Sequence, residues 1–155
     1  VRVLESLIEM RVMSVDFGTK AIGLAICDEL QLAVRPLTTL RHPHLQQAPQ
    51  RIGQLAEEYE IGTLVVGLPL NMDGTSGEAV EKVELFVAEL RKHIFAPIEM
   101  VDERLTSLEA DQILREMGVG MKERKAKSDE YAAVLILQDY LDGLARQQNQ
   151  ESTSI

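Results

Sequence analysis

The chain has 155 residues, the length of one ordinary domain, and its 45% apolar and 26% charged residues are a globular balance rather than a disordered one. Sixteen Lys and Arg against 25 Asp and Glu leave a formal charge of −9. That speaks at first sight against a nucleic-acid binder, because phosphate backbones reward positive charge. A single cysteine, Cys27, excludes an internal disulfide framework and suits a reducing compartment, and no run nears the ~18 apolar residues of a membrane span.

In chain order, residues 1–9 carry Glu5 and Glu9 and lack a basic leader and a small-residue cleavage site. They read as an N-terminal extension rather than a signal peptide, so the expected location is cytoplasmic. Arg11 to Asp16 is a short apolar run that stops in Asp16-Phe17-Gly18-Thr19-Lys20, which is turn chemistry. Ile22 to Cys27 and Gln31 to Leu40 follow after short spacers, so the three predict an antiparallel meander, with Pro36 confining the third strand to an edge.

Between His44 and Glu60, Leu45, Ile52, Leu55, Ala56 and Tyr59 fall at helical spacing. Thr63 to Val66 is an all but continuous apolar strand, stopped by Gly67 and Pro69. A capping box, Thr75-Ser76-Gly77-Glu78, predicts a second helix carrying Val80, Val83, Phe86, Val87 and Leu90. Ile98 to Val101 is a fifth strand. A second capping box, Thr106 to Glu109, opens a helix that should end at Gly118, and Ser128 can cap a last helix to about Gly143. Arg146 to Ile155 is polar and expected to be a disordered tail. The pattern predicts one α/β domain over residues 10–145, built on a mixed five-stranded sheet. An antiparallel three-stranded meander joins two parallel strands, with helices on both faces.

In such sheets ligands sit outside the carboxyl ends of the parallel strands. Here those ends carry Asp16, the loop from Gly67 to Gly74, and Asp102-Glu103-Arg104, while Asp129 opens the predicted last helix. Crowded carboxylates repel unless a cation intervenes, and hard oxygen ligands suit Mg²⁺ or Mn²⁺. Two such ions can activate a water and stabilise the leaving oxygen of a phosphodiester.

The stretch Val15-Asp16-Phe17-Gly18-Thr19-Lys20-Ala21-Ile22-Gly23-Leu24-Ala25 resembles the opening of the YqgF/RuvX family, whose pattern is D-x-G-x-K-R-I-G-x-A. Val66 to Gly74 looks like the second motif of that family, Asp102 to Ser107 like the third and Asp129 to Ala133 like the fourth. All four occur in family order between Met10 and about Leu144. The resemblance implies an RNase H-like fold and a nuclease that trims the 5′ end of precursor 16S rRNA in ribosome biogenesis. The older proposal for the family is Holliday-junction resolution. Two departures stand out: Ala21 occupies the usual Arg position, and residues 1–9 precede the usual start at Met10.

On this reading the partner is nucleic acid, no membrane is involved, and the protein is a monomer or homodimer. Asp16, Glu103 and Asp129 are the expected catalytic carboxylates and hold two Mg²⁺ or Mn²⁺ ions. Adjacent strand residues point to opposite faces, so Asp102 is the alternative to Glu103 as ligand. Asp16 could instead be an Asp-Gly turn residue, and Asp129 an acid favoured by a helix N-terminus. Lys20 and Arg104 adjoin proposed ligands, and Asn71 lies in the loop that would position the strand. Met121 to Lys127 holds Lys122, Arg124, Lys125 and Lys127 against one Glu, a local +3 that leaves −12 on the rest. It reads as a solvated loop or as a phosphate contact.

Cys27 reads as core, His42 and His44 lack zinc spacing, Met72, Met117 and Met121 read as gap-fillers or loop contacts, and Asp73 suits an Asp-Gly turn. Two rival functions remain. Asp-x-Gly-Thr at a hairpin also resembles the phosphate loop of the actin and hexokinase group, although those proteins close two such domains around ATP. A nucleic-acid-binding module without catalysis would keep the fold and the basic segment but leave the carboxylates unused.

Overall fold

The computed structural model describes residues 11–69, 77–102, 112 and 114–153, with the backbone alone for 124–130 and 148–153. Among these residues, five strands form one sheet: β1 (Val12–Phe17), β2 (Ala21–Cys27), β3 (Val34–Arg41), β4 (Thr63–Leu68) and β5 (Ile98–Asp102). Their order across the sheet is β3-β2-β1-β4-β5. The pairs β1–β2 and β2–β3 are antiparallel, and β1–β4 and β4–β5 are parallel, as the meander and the two crossovers require.

Pro36 lies on the edge strand, as its missing N–H demands, and the register shifts opposite Leu24 and Ala25, where Pro36 and Thr38 are the partners. The third strand starts three residues later than its apolar pattern suggested. Gln31 takes a positive φ of 59° in a turn closed by the Leu32 N–H donating to Asp28 Oδ1 (2.8 Å).

Helix α1 (Ala48–Glu58) follows a 3₁₀ turn at Leu45–Gln47, and Pro stands at its first turn, where no N–H is missed. It buries Ile52, Leu55 and Ala56 on one stripe. Its end is a Schellman turn, in which the Ile61 N–H donates to Ala56 O and the Glu60 N–H to Glu57 O, with Glu60 at φ 53°. Helix α2 (Glu78–Leu90) buries Val80, Val83, Phe86, Val87 and Leu90, the five expected positions. Gly77 is the N-cap of this helix, and Thr75 and Ser76 of the proposed box lie outside the described residues. Glu78 and Glu81 stabilise this first turn by charge.

Residues 103–111, including the second proposed box, lie outside the described residues. The helical turn at residues 114–116 ends as expected at Gly118 (φ 78°), where Gly118 and Val119 N–H groups donate to Arg115 O and Leu114 O. Helix α3 (Met121–Thr153) corrects the reading of the chain's end. It begins seven residues before Ser128, so Ser128 is an interior residue and not a cap. The basic segment Met121 to Lys127 is helix rather than loop, because Met, Lys, Glu, Arg and Ala all propagate a helix well. The helix also continues through Gly143 and into the segment expected to be a tail. Among the described residues no helix is long and apolar enough to cross a membrane.

The helices cover the sheet unequally. Met13, Val15, Ile22, Leu24, Leu64 and Val66 pack with α1 and α2 residues in one large core. On the other face, Val12, Ala25, Cys27 and Val65 meet Ala133, Ile136, Leu137 and Leu141 of α3.

Candidate active site

Asp16 is the penultimate residue of β1, the central strand. It is paired with Gly23 within the sheet, so it is a strand residue and not part of the turn that follows. The turn belongs to Gly18, where a Cβ would stand 2.6 Å from Ala21 O, a contact no other residue could accept. Alternation along β1 sends Met13 and Val15 into the α1/α2 core and leaves Val12, Ser14 and Asp16 on the α3 face.

The row of residues across the sheet at Asp16 is distinctive. Gly23 flanks it on β2, with Thr39 beyond on β3. Val15 pairs with Val66, so the next residues in register set Gly67 beside Asp16 on β4, and Gly67 pairs with Val101 on β5. Both immediate neighbours of the carboxylate on this face are therefore glycines. No side chain crowds it from either strand, and a hard oxygen donor in such a niche fits a divalent cation.

Helix α3 is tied to the sheet two residues away. The Ser14 hydroxyl donates to Ala133 O at 2.6 Å, and Ser14 is a fully buried polar side chain. Ala133 and the later helix residues Ile136, Leu137 and Leu141 share one buried cluster with Val12, Ala25, Cys27 and Val65 of the sheet. Four helical residues back from Ala133 is a rise of about 6 Å. Two strand residues on from Ser14 is about 7 Å. The two rises are similar, and residue 129 is the one a turn before Ala133 on α3. Asp129 is also more than two turns inside the helix, which removes the reading of it as a first-turn acid.

Asp102 does not join Asp16. It pairs with Leu68, which packs against the α1/α2 core, so register sets Asp102 on the opposite face. Among the described residues no three His, Cys, Asp or Glu side chains stand together as a metal site. Glu103, Arg104 and Asn71 lie outside the described residues, as do the side chains of Arg124, Lys125, Lys127 and Asp129. Lys20 is exposed in the β1–β2 turn and Lys122 in the first turn of α3. Ala21, where the family pattern has Arg, pairs with Arg41, so a cation enters this corner from β3 instead.

Cys27 is a core residue. Its sulfur accepts from the Val12 N–H at 3.3 Å, and burial pushes the thiol up from its ordinary value. Ser14 lies outside all four motifs, and Gly23 and Ala133 fall inside the first and fourth with no role that the motifs assign. The signal available was a polar residue at an alternate position of an otherwise apolar strand.

Residues 10–143 match the family model described as "RuvX: Holliday junction resolvase". The chain belongs to the RuvX/YqgF family. A relative from Natranaerobius thermophilus, named "Putative pre-16S rRNA nuclease", is 41% identical over 90% of this chain and 99% of its own. One of the same name from Thermoanaerobacter pseudethanolicus is 44% identical over 86% of this chain and 96% of its own. Among solved structures, T. thermophilus RuvC in complex with a Holliday junction substrate superposes with a TM-score of 0.53 at 16% identity, covering 82% of this chain and 91% of that one. Fowlpox virus resolvase with its junction DNA gives 0.51 at 13% identity, over 87% and 99%. The family fold is thus the RNase H-like fold of RuvC.

Proposed function

We propose that the chain is a metal-dependent nuclease that hydrolyses phosphodiester bonds, acting in the cytoplasm as a monomer or homodimer on the 5′ end of precursor 16S rRNA. The observation that carries the reading is the position of Asp16: a carboxylate at the carboxyl end of the central strand, paired with Gly23 and next in register to Gly67. The choice of RNA follows the names of relatives more than 40% identical over nearly their whole length.

Asp16, Glu103 and Asp129 are the residues that would hold Mg²⁺ or Mn²⁺, and Asp102 is disfavoured because register sets it on the other face. When bound, such cations supply a water acidic enough to attack and positive charge for the phosphate oxygens. The rest falls to the chain's own residues. Lys20, Arg104 and the basic first turns of α3, with Lys122, Arg124, Lys125 and Lys127, hold the phosphates of the strand, and Asn71 donates to it. The acidic body repels backbone elsewhere, so binding is confined to this edge.

A second reading, resolution of four-way DNA junctions, is favoured by the family model's own description and by the likeness to junction-bound resolvases. Purified protein incubated with Mg²⁺ or Mn²⁺ on precursor rRNA and on a four-way junction separates the two. Asp16→Asn should reduce cleavage by at least about a thousandfold while its thermal transition stays cooperative. Retained cleavage would sink the assignment.

A further inference from the structure

On the opposite side of the β1 carboxyl end from the α3 face lies a groove of about 310 Å³, lined by Phe17, Gly18, Pro69, Glu78, Ala79 and Lys82. Ligand sites begin at about this size. Its floor is apolar. Phe17 is half-buried and held in place by Phe86, with ring centroids 4.7 Å apart and planes at 35°, and Pro69 and Ala79 add flat apolar surface. Its rim is polar, with the exposed Glu78 and Lys82 one helical turn apart on α2.

That composition selects among the parts of a nucleic-acid strand. A phosphate would gain from Lys82 but be repelled by Glu78, and it would leave the aromatic floor in contact with a charged group. A neutral, flat heterocycle uses all of it: its face lies against Phe17 and Pro69, and its edge meets an acceptor and a donor. Phe17 directly follows Asp16 but faces the other side of the sheet, so a strand whose phosphate lies at Asp16 reaches this groove by turning a neighbouring base over the carboxyl end of β1. We propose that the groove between Phe17, Pro69 and Lys82 holds the unstacked nucleobase next to the bond being cut, making it a subsite for single-stranded substrate. The inference rests on the nuclease reading above and adds to it where the base goes.

The test pairs a chemical deletion with a structural block. Short single-stranded oligoribonucleotides spanning the cut carry one abasic position at a time, and each is cleaved by the wild-type protein and by Ala79→Trp, which fills the groove from an exposed helix position. With wild-type protein, one abasic position beside the cut should raise KM on the order of tenfold with kcat within about twofold. With Ala79→Trp the intact substrate should show that KM already, and the abasic penalty at that position should vanish, the signature of coupled changes. Lys82→Ala should raise KM by a smaller factor.

The same oligonucleotides are also titrated against Asp16→Asn protein, alone and combined with Ala79→Trp, so Kd reports the subsite when no cut occurs. If wild-type protein cleaves and every abasic position costs the same in both proteins, the groove assignment is overturned and the nuclease reading stands. If base-dependent binding that Ala79→Trp abolishes is found without cleavage by the wild-type protein, the nuclease reading fails, and the groove stands as a base-binding site but not as one beside a cut. If no oligonucleotide binds at all, both fail.

Discussion

Against α1 and α2 the sheet presents Met13, Val15, Ile22, Leu24, Leu64 and Val66, whereas against α3 it presents Val12, Ser14, Ala25, Cys27 and Val65, with Gly23 and Gly67 in the row of Asp16. Both faces come from the same strands, residue by residue in alternation. The first face removes large apolar side chains from water, at roughly 25 cal/mol per Å² buried, and carries the greater share of stability. The second buries less per residue, but its small side chains let a helix approach closely enough for Ser14 to reach Ala133 O. Gly23 and Gly67 place no side chain of their own beside Asp16 in its row of the sheet. One face holds the fold together, and the other sets a distance.

That contrast can be broken by experiment. Leu24, fully buried in the large core, is the place for the largest loss of stability: Leu24→Ala should cost about 2–5 kcal/mol in denaturant unfolding, with cleavage per folded molecule unchanged. Ala133→Leu should cost less, about 1–3 kcal/mol, because it overpacks a close contact. By pushing α3 from Ser14 it should nonetheless lower kcat far more than Leu24→Ala does. If the two substitutions scaled stability and activity alike, the division of labour between the faces would be wrong.

A smaller effect is expected from pH. Burial and the Glu99 carboxylate, which accepts a hydrogen bond from the phenol, push Tyr140 up to about 12 from an ordinary 10.0. The folded state therefore keeps a proton that the unfolded chain releases. The contribution is whole below pH 10 and is lost as pH rises from 10 to 12. The midpoint of urea unfolding should fall over that window, and less steeply in Tyr140→Phe. The smallest change is a gain: Glu60 ends α1 at φ 53°, so Glu60→Gly should raise stability by about 0.5–1 kcal/mol, read as a higher Tm, with cleavage unaffected.

The sequence was legible where the signal is local and strong. The five strands, the five buried positions of α2 and the Gly118 stop follow from periodicity and from glycine at a left-handed cap. Local signals also misled. Ser128 has the chemistry of a cap, but a cap is used only where a helix begins, and α3 is already under way at Met121 in a segment of good helix formers. The N-cap of α2 is Gly77, a residue with no side chain to cap with. As for the site, Asp16 stood out from the order of acids and glycines along the chain, while its two glycine neighbours come from strands β2 and β4, of which β4 lies about 50 residues further along.

What the sequence determined by itself is the succession of elements, the mixed sheet and the family, because hydrophobic period, turn residues and motif order are properties of short stretches of chain. What only the tertiary structure decided is which residues share a face: that Asp16 and Asp102 do not, that Ser14 grips α3 at Ala133, and that Phe17 and Lys82 border one groove. Register and packing join residues distant in sequence, and a shift of one residue in register would reverse every one of those statements.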